Sequence, residues 1–141
     1  MKITIREVKT KDWDFILSLR NQKKFAKYFY NQENISKKSH YDYLKTQKIN
    51  PNFFHWIICY GKNDVGYVRI LSSDISIMIL EKFHGKGIGE NTLSLVEIEA
   101  KKLGIKKLVG RIMIDNISSK RIFEKNDYKL KMYWLEKEID I

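Results

Sequence analysis

The chain has 141 residues, a formal net charge of +10 and 43% hydrophobic residues. That length suits a single domain spanning 1–141 with its own core, and the apolar content excludes an intrinsically disordered chain. One cysteine, Cys59, excludes an intrachain disulfide and a four-cysteine zinc site, and no stretch approaches the roughly 20 apolar residues of a spanning helix.

The first nine residues, "MKITIREVK", lack the apolar segment of a signal peptide, so a cytoplasmic location away from membranes is expected. "KITIREV" (2–8) alternates with period two and predicts a half-buried strand. Thr10 is placed to cap a helix over 11–20, with Asp12 in its first turn. Ser36 is placed to cap a second helix over 37–48. "NFFHWIICY" carries an apolar strand over 53–60 that includes Cys59, "GKND" (61–64) is a hairpin turn, and 65–71 and 74–80 are the next two strands of a meander.

The clearest helix follows "HGKGIG" (84–89). Leu93, Val96, Ala100 and Leu103 share one face, and Gly104 ends the helix. A strand over 106–114, a short helix over 116–126 and a last strand over 128–139 complete the order β-α-α-β-β-β-α-β-α-β. The fold class expected is α/β, a mixed and mostly antiparallel sheet flanked by helices.

A strand, a glycine-rich turn and a helix start make a place for an anion. The first N–H groups of a helix have no intrahelical acceptor, and the helix dipole adds positive potential there. Glycine lets a phosphate approach the main chain and permits the positive φ of a nest of N–H groups. A P-loop would need Lys-Ser or Lys-Thr after the glycines, and a dinucleotide fingerprint would need glycine where Glu90 stands. The positive charge is compatible with an anionic ligand. Most of it is assigned to composition, 22 lysines against 5 arginines spread over a solvated surface, which leaves room for a local basic site.

"SIMILEKFHGKGIGENTL" resembles motif A of the GCN5-related N-acetyltransferases, matching at Gly87 and Gly89, with His84 in place of the usual Gln or Arg. "DNISSKRIFEKNDY" (115–128) resembles a second segment of that family, matching at Asn116, Ser119, Phe123 and Tyr128, with Asp127 where glycine is usual. The resemblance implies acetyl-coenzyme A as cosubstrate and no metal. It places the pyrophosphate on the backbone of Gly85, Lys86, Gly87, Ile88, Gly89 and Glu90, with His84 or Lys86 adding charge. It runs the pantetheine arm along Ile77, Met78 and Ile79, and brings Asn116, Ser119 and Phe123 to the cofactor. A backbone N–H of that strand would polarise the acetyl carbonyl.

Transfer in the family is direct, in a ternary complex. The glutamate that many relatives use as base falls at Ser76, and the tyrosine that many use as acid falls at Phe123. Ser76, through an ordered water, and Asn116 are therefore the catalytic candidates, and no general base is assigned. Asp74, Glu81, Asp115 and His55 are nearby alternatives, each with a surface or turn role to set against it.

"LRNQKKFAKYFYNQENISKKSHYDYL" (19–44) resembles a segment of bacterial nucleotide-aminosugar acetyltransferases, more loosely than the glycine segment resembles motif A, because similar segments occur in ribosomal-protein acetyltransferases. Arg20, Asn21 and His40 match that segment, Arg69 in "VGYVRI" recurs in the same group, and Phe25 and Tyr28 beside Lys23, Lys24 and Lys27 are placed to stack a base, unless those aromatics are core. Arg20, Asn21, Phe25, Tyr28, His40 and Arg69 are the acceptor contacts expected. The expected partner is a small-molecule amine that carries negative charge. The basic surface disfavours a polycationic acceptor. Protein N-termini, ribosomal proteins and other small amines are the alternatives within enzymes, and a non-catalytic acetyl-coenzyme A binder is the alternative outside them. The sequence lacks an RNA-binding octamer and a basic stripe, so no nucleic-acid partner is expected. An exposed last strand leaves room for a homodimer.

Overall fold

The structure, a computed structural model, describes residues 1–23, 28–29 and 33–140. Its centre is a four-stranded antiparallel meander of β1 (Ile3–Glu7), β2 (Phe53–Tyr60), β3 (Asn63–Leu71) and β4 (Asp74–Ile79), in the order β1-β2-β3-β4. Period-two alternation sends Phe53, Ile57 and Tyr67 to one face of the sheet and Ile58, Val68, Ile70 and Ile75 to the other.

Two helices cover the first face, α1 (Trp13–Arg20) and α2 (Lys37–Gln47), burying Trp13, Ile16, Leu19 and Leu44 against it. The other face is covered by α3 (Ile88–Lys102), which buries Leu93, Val96 and Ala100, and by α4 (Ile117–Lys125), which buries Phe123. Among the described residues, no helix is long and apolar enough to cross a membrane.

Ser36 caps α2 as expected, its hydroxyl accepting from Ser39 N–H at 3.1 Å. Thr10 does not cap a helix. Residues Thr10–Asp12 form a 3-10 turn, and the helix proper begins at Trp13. The Asp12 carboxylate decides this entry, because it accepts from Lys9 N–H at 2.8 Å and from Nη1 and Nη2 of Arg6, each at 2.9 Å. Arg6 on β1 thus fixes where α1 starts, and no local capping pattern records that.

The expected strands over 106–114 and 128–139 do not form ladders. One parallel bridge joins Asp74 to Val109, with Ile75 N–H donating to Val109 O at 2.9 Å and Val109 N–H to Ser73 O at 2.8 Å. Beyond it the chain leaves β4. Residues 128–139 expose Leu130, Met132, Tyr133, Trp134 and Leu135, and they form no strand with the sheet. Apolar alternation marks a segment that suits a sheet, but a ladder also needs a neighbour in register.

Candidate active site

The bridge at Asp74 sets which groups of β4 are spoken for. Ile75 N–H points outward to Val109, and Leu80 N–H points inward to Val65 O at 2.8 Å. Main-chain groups alternate along a strand, so Ile77 and Ile79 also face outward, whereas Met78 faces β3, where it opposes Tyr67. Among the described residues, the Ile77 N–H has no acceptor. The Ile79 carbonyl is taken by the His84 ring Nε2–H at 2.9 Å and by Gln22 Nε2 at 3.3 Å. Past the Asp74–Val109 bridge the described residues form no further ladder on this edge of β4, and we call the open edge between β4 and the 109–113 segment the cleft. Of the three β4 positions expected along it, Ile77 and Ile79 turn their main chain toward it, and Met78 does not.

At the far end of the cleft, the chain passes a 3-10 turn over Glu81–Phe83 and enters α3 through the glycines. Gly85 and Gly87 have φ of +77° and +73°, the left-handed conformation that side chains with a Cβ resist. Gly87 is the residue before the helix, and the first main-chain bond of α3 runs from Asn91 N–H to Gly87 O at 3.1 Å. Among the described residues, no N–H from 85 to 90 donates to a protein acceptor. Those six donors around a helix start are a cradle for an anion of diphosphate size.

Gly89 serves packing: a Cβ there would lie 3.1 Å from Ile122 Cδ1 of α4. His84 turns back to Ile79 O, and Lys86 is exposed at the rim. Asn116 caps α4, its side-chain oxygen accepting from Ser119 N–H at 3.2 Å. Phe123 is buried against Tyr128, with ring centroids 4.8 Å apart. A Cβ on Gly110 would stand 2.5 Å from the Phe123 ring, so this close approach requires glycine.

On the α1/α2 face of the cleft, Ser76 stands opposite Arg69, which stands opposite His55. The Arg69 Nη1 donates to the Asp74 carbonyl at 2.9 Å and to Asp74 Oδ2 at 3.0 Å, while Arg111 Nε donates to Asp74 Oδ1 at 3.1 Å. His55 Nδ1 shares a hydrogen bond of 2.9 Å with the Tyr67 hydroxyl. Burial lowers the His55 pKa to about 4, and it pushes the Tyr67 and Tyr43 hydroxyls up. His55 is thus held neutral at pH 7. It forms one wall of a cavity of about 470 Å³ bounded also by Trp13, Leu44 and Phe53, beside the cleft rather than in it.

The remaining acceptor-side candidates are more scattered. Arg20 stacks its guanidinium 4.2 Å over the Phe29 ring and contacts Glu33 O at 3.5 Å, and burial lowers its pKa. Asn21 spends both ends of its amide on Ile35, donating to its O and accepting from its N–H at 3.0 Å, so it ties the end of α1 to the start of α2. His40 is 6% exposed and bonds Trp13 O through Nε2 at 2.8 Å. It pins α2 to α1 instead of facing the cleft. Tyr28 lies in the short described stretch 28–29, while Phe25, with Lys24, Lys27 and Tyr30, lies outside the described residues.

Two site groups escaped the sequence reading. Gln22 bridges Ile79 O and Glu81 N–H, joining the end of α1 to the end of β4 across separations of 57 and 59 residues. Arg111 joins Asp74 across 37 residues. Its one sequence signal is a lone cation inside the apolar run "LVGRIMI". Among the described residues, no group of three or more His, Cys, Asp or Glu is placed to hold a metal ion.

The comparisons agree with this architecture. An uncharacterised protein of Methanocaldococcus jannaschii is 34% identical over 139 residues, covering 91% of this chain, and the chain spans 28% of that relative's length. A solved domain from Methanocaldococcus jannaschii superposes with a TM-score of 0.80 at 30% identity, over 91% of this chain and 88% of the domain. The spermidine N-acetyltransferase from Vibrio cholerae, solved with CoA and spermine, superposes with a TM-score of 0.84 at 16% identity, over 97% of this chain and 86% of that one. Residues 2–129 match the family described as Acetyltransferase (GNAT) domain, and the chain belongs to that family.

Proposed function

We propose that the protein is an N-acetyltransferase that uses acetyl-coenzyme A, and that its acceptor is an amine on a nucleotide-linked sugar. The observation that carries the donor half is the row of six N–H groups over 85–90, with left-handed Gly85 and Gly87, at the end of an open strand edge. Those groups fit a diphosphate, and the Ile77 N–H on the open edge fits a carbonyl of the acyl arm. Bound acetyl-coenzyme A would supply the activated acetyl group.

The chain's own part is positioning and polarisation. The cleft holds donor and acceptor together, which replaces a bimolecular encounter. The Ile77 N–H stabilises the charge that develops on the carbonyl oxygen as the amine nitrogen bonds to carbon and the C–S bond breaks. The proton leaves the nitrogen through water held at the Ser76 hydroxyl. Asp74 is engaged with Arg69 and Arg111, and His55 with Tyr67, so neither stands ready at the cleft as a base. A sugar amine is less basic than a lysine amine, and that lowers the demand for a strong base.

The acceptor half is supported by the resemblance of residues 19–44 and by the arginines on the α1/α2 face. The test is free-thiol release from acetyl-coenzyme A with UDP- and dTDP-linked 4-amino sugars, with peptides and spermidine as controls. Turnover confined to the nucleotide-linked amines is expected. Turnover of spermidine alone overturns the acceptor assignment, and no thiol release with any amine overturns the enzyme assignment.

A further inference from the structure

We propose that Arg69 and Arg111 form an anion clamp at the start of the cleft, which selects acceptors bearing a phosphoryl group. The inference deepens the function proposed above and rests on its placement of the acceptor on the α1/α2 face.

Three separate segments build the clamp. Arg69 comes from β3, Asp74 opens β4, and Arg111 lies two residues past the Val109 bridge. The bridge puts Val109 in register with Asp74, so Arg111 shares the face of Asp74 and Ser76. One carboxylate faces two guanidiniums, and the corner keeps a net positive charge. A guanidinium carries five N–H donors. Arg69 spends only Nη1 on Asp74, and Arg111 spends only Nε. Among the described residues, the Nη1/Nη2 fork of Arg111 has no acceptor, and its side chain is 64% exposed, while Asp74 is 19% exposed.

This arrangement differs from a pair that serves stability alone. The Arg111–Asp74 pair, with its arginine largely exposed, contributes little to folding. Asp74 instead holds Arg69 in place and presents the planar end of Arg111 to solvent at the cleft mouth. A planar fork matches the two oxygens of a phosphoryl group. From Asp74 to Ser76 the strand advances roughly 7 Å. That is about the span from an amine on one side of a pyranose ring to a phosphoryl group on the other. An amine delivered to Ser76 would thus leave its phosphoryl group at Arg111. A polycation would meet two like charges at the same mouth.

The test compares the wild type with Arg111→Gln and Arg111→Lys. Arg111 is exposed, and thermal melts of the variants verify that each is folded. With a UDP-linked 4-amino sugar, Arg111→Gln should raise KM by about 10- to 100-fold with kcat little changed, as for loss of a charge-assisted pair. The KM for acetyl-coenzyme A should not move. Arg111→Lys should recover part of the loss. Lys62→Gln, at the far hairpin tip, is the neutral control.

A titration of UDP into protein saturated with coenzyme A keeps the glycine cradle blocked and needs no turnover. The wild type should bind UDP and Arg111→Gln should bind it at least about tenfold more weakly. Turnover of the UDP-linked sugar with an unchanged KM in Arg111→Gln overturns the clamp and leaves the proposed function standing. Absence of any nucleotide-sugar turnover overturns that function, while the UDP titration still decides the clamp: equal UDP affinity in both proteins, or none in either, sinks it.

Discussion

The two ends of β4 offer a ligand different chemistry. Toward its end the candidate site is main chain: the Ile77 N–H, then six N–H groups from 85 to 90 that have no acceptor among the described residues. At its first residue the site is side chain, with Arg69 and Arg111 gathered on Asp74. A main-chain site depends on local φ and ψ, so glycines announce it in the sequence. A side-chain site depends on three segments meeting, and each of those residues taken alone reads as a surface charge.

Gly87→Val should strike the main-chain end of β4 hardest. Nothing blocks a Cβ at Gly87 beyond Asn91 Nδ2 at 3.6 Å, so space is not the constraint. The constraint is φ of +73°, which a β-branched residue adopts at a cost of about 1–2 kcal/mol. Relaxing that φ turns N–H groups away from the diphosphate, each worth about 1.5–3 kcal/mol when charge-assisted. Affinity for acetyl-coenzyme A measured by calorimetry should fall about 100-fold or more. Gly87→Asn, which tolerates the left-handed region, should keep most of it. Equal loss in both variants would show that space or the side chain, and not the backbone, decides.

A second, smaller effect probes the wall of the cleft. The 109–113 segment is held by one bridge to β4 and by the approach of Gly110 to the Phe123 ring. Gly110→Ala should destabilise the fold by about 1–3 kcal/mol through overpacking. Because this wall flanks the cleft directly while the glycine segment meets α4 only through Gly89 and Ile122, acceptor KM should suffer more than acetyl-coenzyme A affinity. A melt unchanged from the wild type would show that the 109–113 segment is not seated on Phe123.

The α1/α2 face should also betray itself to acid. His40 and His55 both titrate below the ordinary histidine value because burial disfavours their charged forms, His55 at about 4. The unfolded chain therefore binds more protons than the fold between pH 6.5 and 4, and stability is lost as pH falls through that window. For His55 the loss is of order 2 kcal/mol by pH 4 after allowance for its partial exposure. Asp12 acts lower: its carboxylate is held below the usual range by Arg6, so its contribution is present above pH 4 and disappears as pH falls further. His55→Gln should flatten the stability profile between pH 6.5 and 4 without altering the steeper acid limb. A profile identical to the wild type would remove His55 from the account.

How much of this was legible follows from the range of each interaction. The meander and α3 were readable because their patterns are periodic and local. Ser36 was readable as a cap for the same reason, whereas Asn116, expected as the first residue of a helix over 116–126, is the residue that caps α4. Thr10 misled because the choice between it and Asp12 is made by Arg6 on a neighbouring strand. The 106–114 and 128–139 segments misled because alternation measures fitness for a sheet and says nothing of the neighbour a ladder needs. Gln22 and Arg111 left no periodic trace, since their partners lie 37 to 59 residues away in the chain.

The smallest expected effect is also the most informative about catalysis. The resemblance of residues 115–128 puts Phe123 at the position where many members of the family carry a tyrosine that protonates the leaving thiolate. Here the ring is 8% exposed and packed edge-on to Tyr128. Restoring the hydroxyl with Phe123→Tyr should therefore change kcat by less than about threefold, far short of the ~100-fold or more that a positioned acid contributes. A weakly basic amine reaches the thioester already neutral, and water at the cleft mouth can exchange the proton released on attack. A gain of about a hundredfold would mean that thiolate departure limits the rate and that the chain lacks an acid it needs.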